Sequence, residues 1–189
     1  MTFDPMLVLA LASGLVVSAA CGLRAFLPLL VVGLAGRLGW IELKDGMHWL
    51  ETTPALVCFG AATVIEIAGD KIPIVDHVLD TIGTVVRPVA AWIAGIAVLT
   101  HWGAPWAQIA GVVFGGGALA VHALKAKTRL GSTALTLGHA NPAISSAEDA
   151  TTLGLLALAI LAPLIALAIV IGLVVVLVRR RRPRAPATA

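Results

Sequence analysis

The chain has 189 residues, of which 59% are hydrophobic and only 12% are charged. Soluble domains carry roughly 25% charged residues, and apolar runs long enough to cross a bilayer recur here, so the composition excludes an ordinary soluble protein. The formal net charge of +3 becomes −2 without five arginines of the C-terminal tail. The basic character therefore belongs to the tail and not to a nucleic-acid-binding surface. The sequence predicts an all-α, polytopic membrane protein with about five membrane segments, some of them kinked or discontinuous.

The first apolar block covers residues 5–36. As one helix it would be about 48 Å long, whereas the hydrocarbon core of a bilayer is about 30 Å thick. Gly22, Arg24 and Pro28 lie near its middle. The block predicts either one strongly tilted, kinked helix or two shorter helices hinged near Gly22 and Pro28.

Further apolar segments follow in chain order. The predicted elements are a short span at 54–69, a third span at 85–102 that begins at Pro88, a fourth helix at 106–129, and a last span at 151–178 with Pro163 in its middle. Small residues in the fourth helix predict close packing against another helix: Gly111, Gly115, Gly116 and Gly117. Residues 12–26 resemble 110–124 in the placement of small side chains, a weak pattern compatible with an inverted repeat.

Residues 1–178 are predicted to form one helical transmembrane domain, and residues 179–189 a disordered basic tail. The arginines of the tail predict a cytoplasmic C-terminus. If the last block crosses once, the basic residues at 125–129 then lie on the outer side. Either the last block is a re-entrant hairpin around Pro163, or these basic residues face protein partners. We favour the second interpretation, because the acidic residues of 66–80 need partners.

The stretch EIAGDKIPIVDHVLD, residues 66–80, is unusually polar for its apolar surroundings. Its ionisable residues are Glu66, Asp70, Lys71, Asp76, His77 and Asp80. Such groups cost roughly 2.5–3.5 kcal/mol each at membrane depth unless they are paired. Arg24 lies deep in the first apolar block, so we expect it to pair with Glu66, or with Asp70 one turn further on. The alternative is that Arg24 and Glu66 extend to a membrane interface.

The acidic residues of 66–80 also allow a metal site. In a helix Asp76 and Asp80 share one face and repel each other unless a cation lies between them. The candidate ligands of a divalent cation are Asp70, Asp76, His77 and Asp80. Buried salt bridges or a solvated loop would explain the same residues. The sequence indicates no cofactor, although a bound cation is compatible with it.

A second polar cluster lies between the fourth helix and the last span. Its candidate site residues are Lys125, Arg129, Asn141, Ser145 and Glu148. Ser145 and Glu148 fit a helix capping box, which would explain both without a function. We expect this cluster to fold against 66–80, because one segment is rich in bases and the other in acids. The sequence contains no nucleophile and base set, P-loop or dinucleotide motif, which disfavours an enzyme.

Three segments in this order carry a family resemblance: GLRAFLPLLVVGLAGR, EIAGDKIPIVDH and KTRLGSTALTLGHANPAISSAED. They resemble a bacterial family of small integral membrane proteins that is catalogued as a domain of unknown function, number four-one-two-six. The resemblance covers about residues 7–175. It implies a helical membrane protein without a settled activity. It also supports one site that contains Arg24, Asp70, Lys71, Pro73, Asp76, His77, Asn141, Pro142, Ser145 and Glu148.

Intramembrane charges that face a protein interior typically mark a solute pathway. The sequence therefore predicts a transporter or channel-like protein for a small polar or ionic solute, in the bacterial cytoplasmic (inner) membrane. The expected partners are membrane lipids and the solute or ion, and not nucleic acid; a homo-oligomer is compatible with the sequence. The alternative is a structural or lipid-binding membrane protein, in which the charges only hold helices together and the tail binds anionic headgroups.

Overall fold

The computed structural model describes residues 5–136 and 139–181, which form helices and turns without a strand. The helices are α1 Pro5–Leu23, α2 Phe26–Arg37, α3 Thr53–Gly69, α4 Pro73–Ala97, α5 Trp106–Thr136, α6 Asn141–Leu161 and α7 Pro163–Arg181, with a 3₁₀ turn at His48–Glu51. Four of the described segments are long and apolar enough to cross a membrane: α1, Val78–Ala97 of α4, α5 and α6. The predicted all-α, polytopic fold is confirmed.

The first apolar block consists of two helices, which was one of the two predicted arrangements. The break falls at Arg24 and Ala25, between the predicted hinge residues. Val17 of α1 and Val31 of α2 line one small cavity, so the chain bends at this break. Pro28 is the third residue of α2, where its missing N–H has no intrahelical partner to lose.

The predicted start of the third span at Pro88 is wrong. Helix α4 begins at Pro73, a position that suits proline because the first turn of a helix leaves its N–H groups unpaired. Pro88 lies inside the same helix. Of the ionisable residues that precede Pro88 in this helix, Asp76 is buried and Asp80 is half-buried.

The last apolar block also differs from the prediction. Its helix begins at Asn141, ten residues before the predicted start, and is broken at Ala162, which has an extended φ of −152°. A residue that precedes proline avoids helical geometry, so Pro163 explains the break. Helix α7 then continues to Arg181, past the predicted end of the transmembrane domain. Tail residues 182–189 lie outside the described residues.

Helix α1 packs against α4, α5, α6 and α7 at the centre of the bundle. Close approach depends on small residues: a Cβ on Gly22 would lie 2.6 Å from the carbonyl oxygen of Ala118. Three of the four predicted packing glycines in α5 face a neighbouring helix, whereas Gly116 faces open space. The prediction of close packing holds for Gly111, Gly115 and Gly117.

Helix α4 is charged inside and apolar outside. Asp76 and Arg87 are buried, with 6% and 1% of their surface exposed. The opposite face carries large apolar side chains that are 36 to 69% exposed: Val75, Val78, Ile82, Val85 and Val89. A helix with this distribution faces lipid on its outer side and a polar interior on its inner side.

Candidate functional site

Charged side chains from the junction between α1 and α2 and from residues 66–149 meet in the interior of the bundle. They form two neighbouring groups. The Asp70 group contains Arg24, Asp70, Asp76, Lys125, Arg129, Ser145, Glu148 and Asp149. The Arg87 group contains Glu66, Asp80, Arg87 and His122. Arg87 lies eleven residues after Asp76, which places it roughly 16 Å further along α4.

Asp70 is the centre of its group because one of its oxygens faces three cations. Its Oδ2 pairs with Arg24, lies 3.4 Å from Lys125 Nζ and lies 2.8 Å from Arg129 Nη2. Asp70 follows Gly69, where α3 ends, so the turn to α4 directs its side chain inward. Burial would raise the pKa of Asp70, but the three cations hold this pKa below its ordinary value.

Arg129 joins α4, α5 and α6. Its guanidinium pairs with Asp76 and Asp70, and its Nη2 lies 2.6 Å from Oε2 of Glu148. Lys125, one turn earlier, lies 3.2 Å from the same Glu148 oxygen. The basic segment of α5 therefore folds against residues 66–80, as the charges of the two segments predicted.

Asp76 titrates differently from Asp70. Burial raises the pKa of Asp76 above its ordinary value, and the neighbouring carboxylates of Asp70 and Asp80 add to this effect. Arg129 opposes the increase without reversing it. Asp70 and Asp76 both precede the spanning part of α4, and their pKa values are shifted in opposite directions.

Arg24 is completely buried, so it does not extend to an interface. It pairs with Asp70, and its Nη2 lies 2.6 Å from Asp149 and donates a 2.9 Å hydrogen bond to Ser145 Oγ. Of the two predicted partners, Asp70 is correct and Glu66 is not. The carboxylate of Glu66 instead accepts hydrogen bonds from the backbone N–H groups of Ala25 and Phe26, at the start of α2. A carboxylate is favourable there because the first turn of a helix presents unpaired N–H groups.

The predicted capping box at Ser145 and Glu148 is wrong. Helix α6 begins at Asn141, so Ser145 is its fifth residue and lies inside the helix. The cap position is Ala140, which offers no side-chain hydrogen bond. Ser145 is fully buried and accepts from Arg24, and Glu148 accepts from Arg129. Both residues thus belong to the buried charge network.

The ion pairs of the Arg87 group are longer than those of the Asp70 group. Arg87 Nη2 lies 3.6 Å from Glu66 Oε1 and 3.7 Å from Asp80 Oδ1, beyond direct hydrogen-bond distance. Its Nη1 donates to the backbone carbonyl of Gly22 at 3.2 Å and to His122 Nδ1 at 2.5 Å. Within the described part of the chain, Arg87 Nε and Asp80 Oδ1 have no hydrogen-bond partner, and the same holds for Arg24 Nε, Asp70 Oδ1 and Asp149 Oδ1 of the Asp70 group.

His122 is held between two groups of α4. Its Nδ1 faces the guanidinium of Arg87, which can only donate, so Nδ1 is the acceptor. Its Nε2 lies 3.2 Å from the backbone carbonyl of Asp80, which can only accept, so Nε2 carries the proton. These two contacts assign a neutral imidazole protonated on Nε2.

Other predicted site residues lie outside the two groups. Lys71 is exposed, and Asn141 donates to Thr133 Oγ1 at 3.0 Å instead of joining the network. The side chain of His77 lies outside the described atoms. In the described ranges, no three side chains of the ligand-forming types converge on one point. The charges beside the carboxylates of Asp76 and Asp80 are instead those of arginines.

Three members of the network were not predicted: Arg87, His122 and Asp149. Arg87 shares the inner face of α4 with Asp76 and Asp80 at helical spacing, a signal hidden by the wrong helix start at Pro88. His122 precedes Lys125 and Arg129 by three and seven residues on one face of α5, so the helical period marks all three. For Asp149, the sequence signal was its position next to Glu148.

The chain was also compared with known proteins. The model of a family described as Domain of unknown function (DUF4126) matches residues 11–182. No curated protein and no solved structure matches the chain significantly. The match covers both charge groups and all seven helices apart from the first residues of α1.

Proposed function

The chain belongs to the DUF4126 family, and we propose that this multi-pass membrane protein is a transporter or channel-like protein for a small polar or ionic solute. The observation that carries the proposal is the reversed polarity of α4, with charges inside and exposed apolar side chains outside. Charged groups are expensive at membrane depth, and in membrane proteins they line solute pathways or coupling sites.

The balance of charge favours certain solutes. The two groups together contain six carboxylates and four permanently or ordinarily charged bases, so their formal charge is −2 with a neutral His122. A buried region with excess negative charge attracts cations and repels anions. The proposal therefore favours cationic or neutral polar solutes over anions.

The proposed location is the bacterial cytoplasmic membrane, with the C-terminus in the cytoplasm. Five arginines follow the last apolar residues, and such charges remain on the cytoplasmic side. Membrane lipids and the solute are the proposed partners. Accessibility of a cysteine placed at residue 189 to a membrane-impermeant label on intact cells tests this orientation, and rapid labelling from outside would contradict it.

A second function is favoured by the Asp70 group. Its carboxylates and cations connect the junction between α1 and α2 with α4, α5 and α6 through direct ion pairs. Such a network suits a structural membrane protein, in which the charges only fix the helices. In that case the arginine tail would bind anionic headgroups.

Flux measurements in liposomes separate the two functions. Purified protein is reconstituted and screened for flux of monovalent cations, divalent cations, anions and neutral polar solutes. A transporter gives flux above protein-free liposomes for at least one class. Asp80→Asn is then expected to lower that flux by roughly tenfold or more, about 1.4 kcal/mol in the barrier. The matched control is Asp45→Asn at an exposed site. Absence of flux for every class would favour the structural function.

A further inference from the structure

We propose that His122 is a proton-binding site, and that its protonation moves Arg87 from the imidazole to the carboxylates of Glu66 and Asp80. The consequence for transport, a solute flux linked to proton binding, rests on the function proposed above. The proton-binding step itself depends only on the geometry of the Arg87 group. Proton binding and flux are therefore tested by separate measurements.

The neutral state is fixed by two hydrogen bonds. Arg87 Nη1 donates to Nδ1 of His122, and Nε2–H of His122 donates to the backbone carbonyl of Asp80. A proton taken from water would bind at Nδ1, the only ring nitrogen with a free electron pair. Nδ1 then becomes a donor, and the imidazolium faces a guanidinium at hydrogen-bond distance. Two donors of like charge cannot keep this contact, so Arg87 must leave it.

A second position for Arg87 is close by. Its Nη2 is 3.6 Å from Glu66 Oε1 and 3.7 Å from Asp80 Oδ1, so a shift of roughly 1 Å makes charge-assisted hydrogen bonds. Asp80 Oδ1 and Arg87 Nε have no hydrogen-bond partner among the described residues, so both have capacity for the new contacts. The formal charge of the Arg87 group rises from −1 to zero when the proton binds.

The groups that face His122 come from several helices. Burial of the imidazole opposes the proton most strongly, and the cations Arg87 and Lys125 oppose it as well. Asp80 favours the proton, and Glu66 of α3 acts through Arg87. Thr84 adds a hydroxyl 3.5 Å from Nε2. Lys125 is itself paired with Asp70 and Glu148, which reduces its repulsion of the imidazolium.

The movement of Arg87 would reach α1. Arg87 Nη1 also donates to the backbone carbonyl of Gly22, two residues before the break at Arg24. When the guanidinium turns to Glu66 and Asp80, this link between α4 and α1 is lost or rearranged. Proton binding is thus connected to the helix junction that holds Arg24 in the Asp70 group.

The proton-binding step is tested by nitrogen NMR. Protein labelled with ¹⁵N in histidine and arginine side chains is placed in nanodiscs and titrated between about pH 8 and about pH 4.5. The His122 signals are assigned by their loss in His122→Gln, and His139→Gln at an exposed site is the matched control. We expect an unprotonated Nδ1 and a protonated Nε2 at the start, then protonation of Nδ1 together with a change in the Arg87 signals. A His122 that stays neutral, or titrates without any change at Arg87, would overturn the proposal.

The link to transport is tested in proteoliposomes with the solute found by the flux screen. Wild-type and His139→Gln proteins are expected to change flux by up to about tenfold between about pH 7.5 and about pH 4.5. His122→Gln should abolish this dependence on pH. The same dependence in His122→Gln would refute proton linkage. If the NMR change occurs but no solute crosses, the proton site stands and the proposed transport function fails.

Discussion

The Asp70 group and the Arg87 group have the same formal charge, −1 when His122 is neutral, yet they are paired in different ways. In the Asp70 group, three bases face four carboxylates through contacts of 3.4 Å or less. In the Arg87 group, the guanidinium lies 3.6 and 3.7 Å from its two carboxylates. Its shorter contacts are hydrogen bonds to neutral acceptors, the Gly22 carbonyl and His122 Nδ1.

The two kinds of pairing suit different roles: direct ion pairs stabilise the fold, and longer ones allow a change of partner. Breaking a direct buried ion pair leaves a charge without a partner, which is strongly destabilising. A guanidinium with two nearly equivalent sets of acceptors can change partners at lower cost. Under the proposals made above, helix cohesion rests mainly on the Asp70 group, and the response to protons or solute rests mainly on the Arg87 group.

The largest effect is expected for Arg129→Leu. Removal of this guanidinium leaves Asp76 without a direct cation and deprives Asp70 and Glu148 of one each. The free energy of unfolding in detergent should fall by about 3–5 kcal/mol. Arg37→Leu at an exposed site is the control. If both variants lose the same amount, the Asp70 group does not hold the helices together.

The next effect concerns the glycine that lies between the two groups. A methyl group on Gly22 would lie 2.5 Å from Val121 Cβ and 2.6 Å from the Ala118 carbonyl oxygen, so Gly22→Ala must separate α1 from α5. We expect a loss of about 1–3 kcal/mol in the free energy of unfolding. Gly116→Ala is the matched control, because its Cβ meets open space. In the NMR experiment, Gly22→Ala should change the Arg87 signals more strongly than the Arg129 signals.

Two double-mutant cycles measure the coupling energy of one ion pair from each group. Coupling energies between contacting residues range over about 0.5–3 kcal/mol. Arg24→Leu with Asp70→Leu should fall near the upper end, because the two side chains form a direct ion pair. Arg87→Leu with Asp80→Leu should fall near the lower end, since 3.7 Å separates the charged atoms. Equal coupling in the two cycles would remove the distinction between the groups.

The smallest effect is a dependence of stability on pH within the Asp70 group. The pKa of Asp70 is lowered by folding, so its stabilising contribution is complete above its ordinary pKa and is lost as the pH falls through the lower, folded value. The pKa of Asp76 is raised, so the folded protein gains stability as the pH falls from that raised value to the ordinary one. Unfolding midpoints between about pH 7 and about pH 3 are compared for Asp70→Asn, Asp76→Asn and the exposed control Asp45→Asn. Changes of slope in the same direction for the first two would contradict these shifts.

The sequence predicted the membrane class and most apolar elements because long apolar runs have few alternatives in water. It misplaced the start of α4, because proline fits both the first turn of a helix and a tolerated position inside a membrane helix. That single boundary concealed Arg87. Once α4 runs from Pro73, the helical period places Arg87 with Asp76 and Asp80.

The partners within the site were harder to predict than its members. Glu66 and Asp70 lie one helical turn apart at the end of α3, and both were plausible partners for Arg24. The choice depends on where α2 begins, because its first N–H groups bind the carboxylate of Glu66. This position follows from the tertiary fold. The capping assignment of Ser145 failed for the same reason, since helix α6 extends beyond the local capping signal.

The reversed polarity of α4 has a consequence for biogenesis. A charge in its spanning part, such as that of Arg87, costs roughly 2.5–3.5 kcal/mol when the segment leaves the translocon for lipid. Glu66, one partner of Arg87, is synthesised earlier, but His122, another partner, follows Arg87 by 35 residues. We therefore expect helix α4 to remain beside the translocon until α5 emerges. We expect the two helices, joined by a short connection, to enter the bilayer together with Arg87 already in contact with His122.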